Sequence, residues 1–173
     1  MILKTVGAIL VLASATAIGS ILAFQVKEQE RWLADMKLSL ILLSGELEYH
    51  QIPFPEAMRL TGTKHKGRMR DFFRKAGEEL EKREGESLSV VWRRQAERCL
   101  KQSPLKKEQK EEFSEIGIYF AGADSNVRKK ALEFYFSRLE EEIVRMRSTE
   151  KEKAYLYRML GMLGGVFLLI LAC

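Results

Sequence analysis

Residues 62–69, Gly62-Thr63-Lys64-His65-Lys66-Gly67-Arg68-Met69, come nearest in this chain to a loop that cradles phosphates. Such a loop needs a lysine after its second glycine to reach the β- and γ-phosphates, then a serine or threonine to hold magnesium. Arg68 and Met69 stand at those two places and no apolar strand precedes them, which argues against nucleotide chemistry. Glu46 and His50 are four apart, so a helix would set a carboxylate and an imidazole side by side. That pair is an incomplete metal set, and the other histidine, His65, lies in a basic run, so Glu46 and His50 read as a solvated helix end. Cys99 adjoins a core stripe and reads as a small buried apolar residue rather than a nucleophile. Asp124 reads as a helix cap rather than a general acid. The chain is expected to be no enzyme and to need no metal or cofactor.

One charged feature remains. Lys64, Lys66, Arg68, Arg70, Arg74 and Lys75 are interrupted by one carboxylate, Asp71, in a chain of net charge +5. Such a run attracts an acidic protein surface, anionic head groups or nucleic acid, or is simply the wet side of a helix. Nucleic acid is the weakest of these partners, because no aromatic side chains interleave with the charges and no reader motif is present.

The elements that must position these residues are bounded by two greasy ends. Residues 5–26 contain no charged side chain, and as helix they extend about 33 Å, enough for a hydrocarbon core of about 30 Å. The region is expected to be a retained anchor and not a cleaved signal, because Ile18 to Phe24 stay apolar beyond the Ala15/Ala17 pattern. Residues 159–173 are also uncharged but short, about 22 Å of helix, so Tyr155 and Tyr157 would serve as an interfacial belt while Arg158 snorkels. Gly161, Gly164 and Gly165 would let a neighbouring span pack closely. Lys27, Arg31 and Lys37 after the first run, and Arg145, Arg147, Lys151, Lys153 and Arg158 before the second, place the middle in the cytoplasm and both termini outside. The expected organisation is an anchor over 1–26, a cytoplasmic bundle over 27–157 and a second transmembrane segment over 158–173.

Period-3.6 patterns and only three prolines make the middle all-α, a bundle of about six helices flanked by the N- and C-terminal transmembrane helices. Leu33, Met36, Leu40, Leu43 and Leu47 form one stripe, ending near Tyr49 before Pro53 and Pro55. A short helix carrying Ala57, Met58 and Leu60 is expected to stop at Gly62, and a third to span roughly 65–84 with Met69, Phe72, Phe73, Ala76 and Leu80 inward. Ser87 is expected to cap a fourth, with Leu88, Val91, Trp92, Ala96 and Leu100 inward. Ser103-Pro104 reads as the start of a fifth, with Phe113, Ile116 and Phe120 inward. Asp124 or Ser125 caps a sixth, whose Leu132, Phe136, Leu139, Ile143 and Met146 suit antiparallel packing on the first.

Taken in order, several of these segments resemble a known family. The N-terminal anchor, Leu47-Glu48-Tyr49, Pro53-Phe54-Pro55-Glu56-Ala57, the Leu88 to Trp92 stretch, Phe120-Ala-Gly-Ala-Asp124 and the tail Tyr157-Arg-Met-Leu-Gly161-Met-Leu-Gly-Gly165 look like the stage III sporulation protein AB family of endospore-forming bacteria. The resemblance implies a place in the mother-cell membrane facing the forespore, within a secretion-like channel complex. It implies as partners a cytoplasmic secretion-type ATPase and other membrane channel components; a homo-oligomer is compatible with it. The family is similar to the platform proteins of type II secretion and type IV pilus machines, of which Gly45 and the Pro53–Ala57 segment are reminiscent. A platform that docks a motor needs a surface, and the expected one combines Lys64, Lys66, Arg68, Arg70, Arg74 and Lys75 with the acidic cluster Glu140, Glu141 and Glu142. The alternative expectation is a membrane-tethered binder of anionic lipid or nucleic acid that uses the same basic face.

Overall fold

The structure is a computed structural model that describes residues 2–49, 52–82, 85–122, 124 and 126–148, with side chains from residue 24 onward. The run 159–173, with Gly161, Gly164 and Gly165, lies outside the described residues, as do the side chains of 5–23. Among the described residues no helix is long and apolar enough to cross a membrane; the first expected span forms the N-terminal part of helix Ile2–Tyr49, and the second lies outside the described residues.

Every regular element described is helical: α1 (Ile2–Tyr49), α2 (Phe54–Lys64), α3 (Arg70–Lys82), α4 (Leu88–Leu100), α5 (Lys107–Glu115), α6 (Gly117–Ala121) and α7 (126–148). The chain divides into two compact units, Glu28–Glu140 and a second made of Met1–Lys27 with Glu141–Cys173. In the second unit Arg145 lies 3.8 Å from Glu142 along α7. The first unit holds the site described below.

Helix α1 runs without a proline, and Leu33, Met36, Leu40 and Leu43 are fully buried in steps of three and four. Leu47, expected on that stripe, is half-buried near the helix end. Pro53 precedes α2 in an extended conformation and its carbonyl accepts the Ala57 N–H at 3.0 Å, while Pro55 occupies the first turn, where a missing N–H costs nothing.

Gly62 does not end α2. It lies inside that helix, where a Cβ would stand 2.6 Å from the Arg74 backbone nitrogen of α3. Gly77 of α3 reciprocates, because a Cβ there would stand 2.9 Å from the Arg59 nitrogen and Pro55 oxygen. The two glycines let α2 and α3 meet backbone to backbone.

Helix α3 starts at Arg70 rather than near residue 65, because 65–69 form a tethered loop. Ser87 precedes α4 but makes no side-chain cap bond; its hydroxyl meets that of Ser89 at 2.9 Å. Ser103 does not open a helix either. Its hydroxyl donates to the Leu100 carbonyl at 2.7 Å, and α5 begins at Lys107. The expected fifth helix divides at Ile116 into α5 and α6, where Gly117 meets Trp92 so closely that a Cβ would be 2.5 Å from the indole.

Trp92 centres the core. Its ring packs against Phe72, Phe73, Phe113 and Phe120 with centroids 4.9 to 6.0 Å away, and its Nε1–H donates to the Phe113 carbonyl at 2.8 Å. Asp124 caps α7: its Oδ1 accepts the Asn126 N–H at 3.3 Å and its carbonyl accepts the Arg128 N–H at 2.9 Å. Helices α1 and α7 are antiparallel: Lys37 pairs with Glu140, and Glu48 lies 3.5 Å from Lys129, so the partners advance along one helix as they recede along the other.

Candidate functional site

The loop that carries the first predicted cations is fixed from beneath. His65 leaves α2 in an extended conformation with its ring buried, and its Nε2 lies 3.0 Å from Asp35 Oδ1 of α1. The contact is within ion-pair distance but off the hydrogen-bonding direction of the ring. Asp35's directional bond comes instead from the Met69 N–H, 2.9 Å from Oδ2. Gly67 covers the pair, and a Cβ there would fall 1.9 Å from the carboxylate. Segment 65–69 is thereby held against α1, which sets the direction in which α3 departs.

The six predicted cations then part company. Lys64 reaches back to Glu46 at 2.5 Å. Arg68 binds Glu28 at 2.7 Å and lies over the Trp32 ring, 5.9 Å from its centroid. Glu28 also accepts from Arg31 at 2.6 Å; the Arg31 bond first, then Arg68, hold its carboxyl below the ordinary value. Arg74 bonds Glu78 at 2.8 Å and lies 3.7 Å from Asp71. Lys66, Arg70 and Lys75 are exposed and have no ion pair among the described residues. Half of the expected basic face is therefore neutralised within the fold.

A groove of 640 Å³ opens beside this segment, between Trp32 of α1, the outer face of α3 and the end of α4. Of its carboxylates, Glu78 is engaged by Arg74, and Glu79 by Gln95 and by Arg94 at 2.9 Å, while Asp71 is exposed, 3.7 Å from Arg74. Arg94 is also gripped by both oxygens of Glu86, at 2.8 and 2.7 Å, and this bond is the main cause raising its pKa. The cations Lys75, Lys82 and Arg98 on the groove edge are exposed and have no ion pair among the described residues. The groove thus presents three exposed cations over two closed acids, with Asp71 as its exposed carboxylate. Cys99 lines it, half-buried, and desolvation first, then the nearby Asp71, push its thiol up to about 11. At neutral pH it is a protonated thiol, unsuited to nucleophilic attack.

Of the expected acidic cluster, Glu140 is closed by Lys37 of α1 and Glu142 lies near Arg145, while Glu141 is exposed. Glu46 is not a solvated helix end: it is buried and turned to Lys64, and His50 lies outside the described residues. Among the described residues no group of three or more His, Cys, Asp and Glu side chains is placed to hold a metal ion. Sequence reasoning missed Lys82, Arg98, Trp32 and Asp35. Lys82 was findable, because it repeats Lys75 two turns on and shares its helix face. Arg98 and Asp35 reach the site only through packing of distant helices.

The fold and the groove define the class, an all-α bundle with an open charged groove. The chain belongs to the stage III sporulation protein AB family, whose model matches residues 4–173. It is thus a member of a sporulation family. No curated protein and no solved structure matches it.

Proposed function

We propose that this protein is a non-catalytic platform component of the mother cell–forespore channel complex, held in the mother-cell membrane by its two uncharged ends and docking a cytoplasmic secretion-type ATPase through its helical bundle. Membership of the sporulation family supports the setting. The charge-free runs 5–26 and 159–173 support two spans, with positive residues on the inner flank of each. The observation that carries the docking role is the groove edge, where Lys75, Lys82 and Arg98 have no ion pair among the described residues while Glu78 and Glu79 are closed by Arg74, Arg94 and Gln95. Such a rim steers an acidic surface to one place and rejects a basic one. Lys66 and Arg70 are the exposed remainder of the originally expected surface.

The test is co-purification of the ATPase with the full-length chain. Lys75→Glu, Lys82→Glu and Arg98→Glu together should abolish it with helical content unchanged, whereas Lys66→Glu with Arg70→Glu should weaken it less. Undiminished co-purification of the triple variant would sink the docking surface. The same free cations favour one alternative, binding to anionic lipid. Salt-sensitive binding to vesicles containing phosphatidylglycerol, lost in the triple variant while ATPase co-purification persists, would select that reading.

A further inference from the structure

The charges still open along the groove fall in a fixed order. Arg68 is closed by Glu28, Glu78 by Arg74, and Glu79 by Arg94 and Gln95. That leaves Asp71, Lys75 and Lys82 on α3 and Arg98 on α4, all exposed. The Asp71 side chain is 68% exposed, and its neighbour Arg74 is 3.7 Å away and already bonded to Glu78 at 2.8 Å. Helix α4 runs back along α3, so that Gln95 meets Glu79 while Cys99 lies by Asp71 and Lys75. Arg98, next to Cys99, therefore belongs to the Lys75 part of the groove. Read along α3, the groove offers one negative position and then positive ones.

That order and its spacing select what can lie there. A head-group layer or a nucleic acid strand brings negative charge to every position and meets Asp71 with repulsion. A protein segment can change sign along its length. Asp71, Lys75 and Lys82 are separated by four and then seven residues, about 6 Å and about 10.5 Å of helix, and both steps stay on one helix face. An extended strand rises about 3.3 Å per residue, so it would cover those distances in two and then three residues. Its third side chain would then point to the opposite face. A second helix beside α3 repeats the steps of four and seven and keeps its three side chains together.

We propose that the groove receives one α-helix of the partner protein, laid along α3, with a lysine or arginine opposite Asp71 and carboxylates opposite Lys75 and Lys82, the first of them shared with Arg98. This rests on the docking role given above and adds the polarity of the contact, with Asp71 setting the register. Exposed ion pairs are individually weak, so the order of signs acts by penalising every wrong placement of the helix. Trp32, half-buried with Arg68 over its ring, and the half-buried Cys99 supply surface for the helix to rest on at the Asp71 end.

The test is Asp71→Lys in the full-length chain, read by co-purification of the ATPase beside the Lys75→Glu, Lys82→Glu, Arg98→Glu triple variant. If acidity of the partner alone mattered, a fourth cation would strengthen retention. The register predicts the opposite: retention falls at least about fivefold with Asp71→Lys, falls less with Asp71→Asn and is kept by Asp71→Glu, with helicity unchanged. Asp71 lies in the first turn of α3, so if the lysine variant lost helicity the asparagine variant would decide. Retention at or above the unmodified level in the deciding variant overturns the register, and loss in the triple variant then leaves the docking role standing. Retention by the triple variant sinks the docking role itself. Loss of self-association of the purified chain with Asp71→Lys, the ATPase being retained, would assign the groove to a second copy and overturn the proposal.

Discussion

Asp35 and His65 lie thirty positions apart in sequence and 3.0 Å apart in space, and Gly67 is folded down over both. That junction seats the α2–α3 loop on α1. Asp35→Ala leaves the Met69 N–H without its acceptor in a largely buried place, an expected loss of about 1–3 kcal/mol. Gly67→Ala should cost a similar amount, because the new methyl must displace the carboxylate. Chemical denaturation followed by helical circular dichroism measures both, and unchanged midpoints would refute the role.

Trp92 is held by packing and by one hydrogen bond that can be removed separately. Trp92→Phe keeps most of the aromatic contacts but leaves the Phe113 carbonyl unpaired, with an expected loss of about 1–3 kcal/mol. Gly117→Ala drives a methyl into the indole and should shift the Trp92 fluorescence. A Trp32→Phe background isolates that signal, since the chain has two tryptophans.

The helical glycines should differ in sign. Gly62→Ala and Gly77→Ala each press a methyl onto the backbone of the facing helix and should destabilise by about 1–3 kcal/mol. Gly45→Ala meets open space in the isolated chain and should stabilise by up to about 1 kcal/mol, by the helix preference of alanine. Thermal midpoints of the three variants, compared at low concentration, decide it.

Two groups give pH dependence of opposite sense. Glu28 is depressed by Arg31 and then Arg68, so its contribution is present above the ordinary carboxylate value and is lost as pH falls through its folded value. Glu28→Gln should flatten the acid side of the stability curve. Cys99 is raised from 9.0 to about 11, so the folded state holds its proton more tightly; that contribution is present below 9.0 and lost as pH rises through about 11. In a Cys173→Ser background, alkylation of Cys99 should be slow at pH 8 and keep accelerating beyond pH 9. A rate that levels off near pH 9 would contradict the shift.

The turns show where sequence legibility ended. Pro53 and Pro55 marked the α1–α2 junction because proline acts on its own backbone, and Asp124 marked the start of α7 because capping is settled within four residues. Gly62 and Ser103 misled for a related reason: glycine and serine have local uses at helix ends, but packing on α3 claimed one and the Leu100 carbonyl the other.

Residue type and spacing alone determined the all-α class, the inward stripes Leu33–Met36–Leu40–Leu43 and Phe72–Phe73–Ala76, and the antiparallel pairing of the first and last helices, because a 3.6-residue period is written in neighbouring side chains. Only the tertiary structure decided which charges are available. Lys64 finds Glu46, Arg68 finds Glu28 and Lys37 finds Glu140 across 18, 40 and 103 positions, whereas Lys75, Lys82 and Arg98 are left facing a groove. A charge is quenched by whatever lies within a few ångströms of it, and that neighbourhood exists only after the helices have packed.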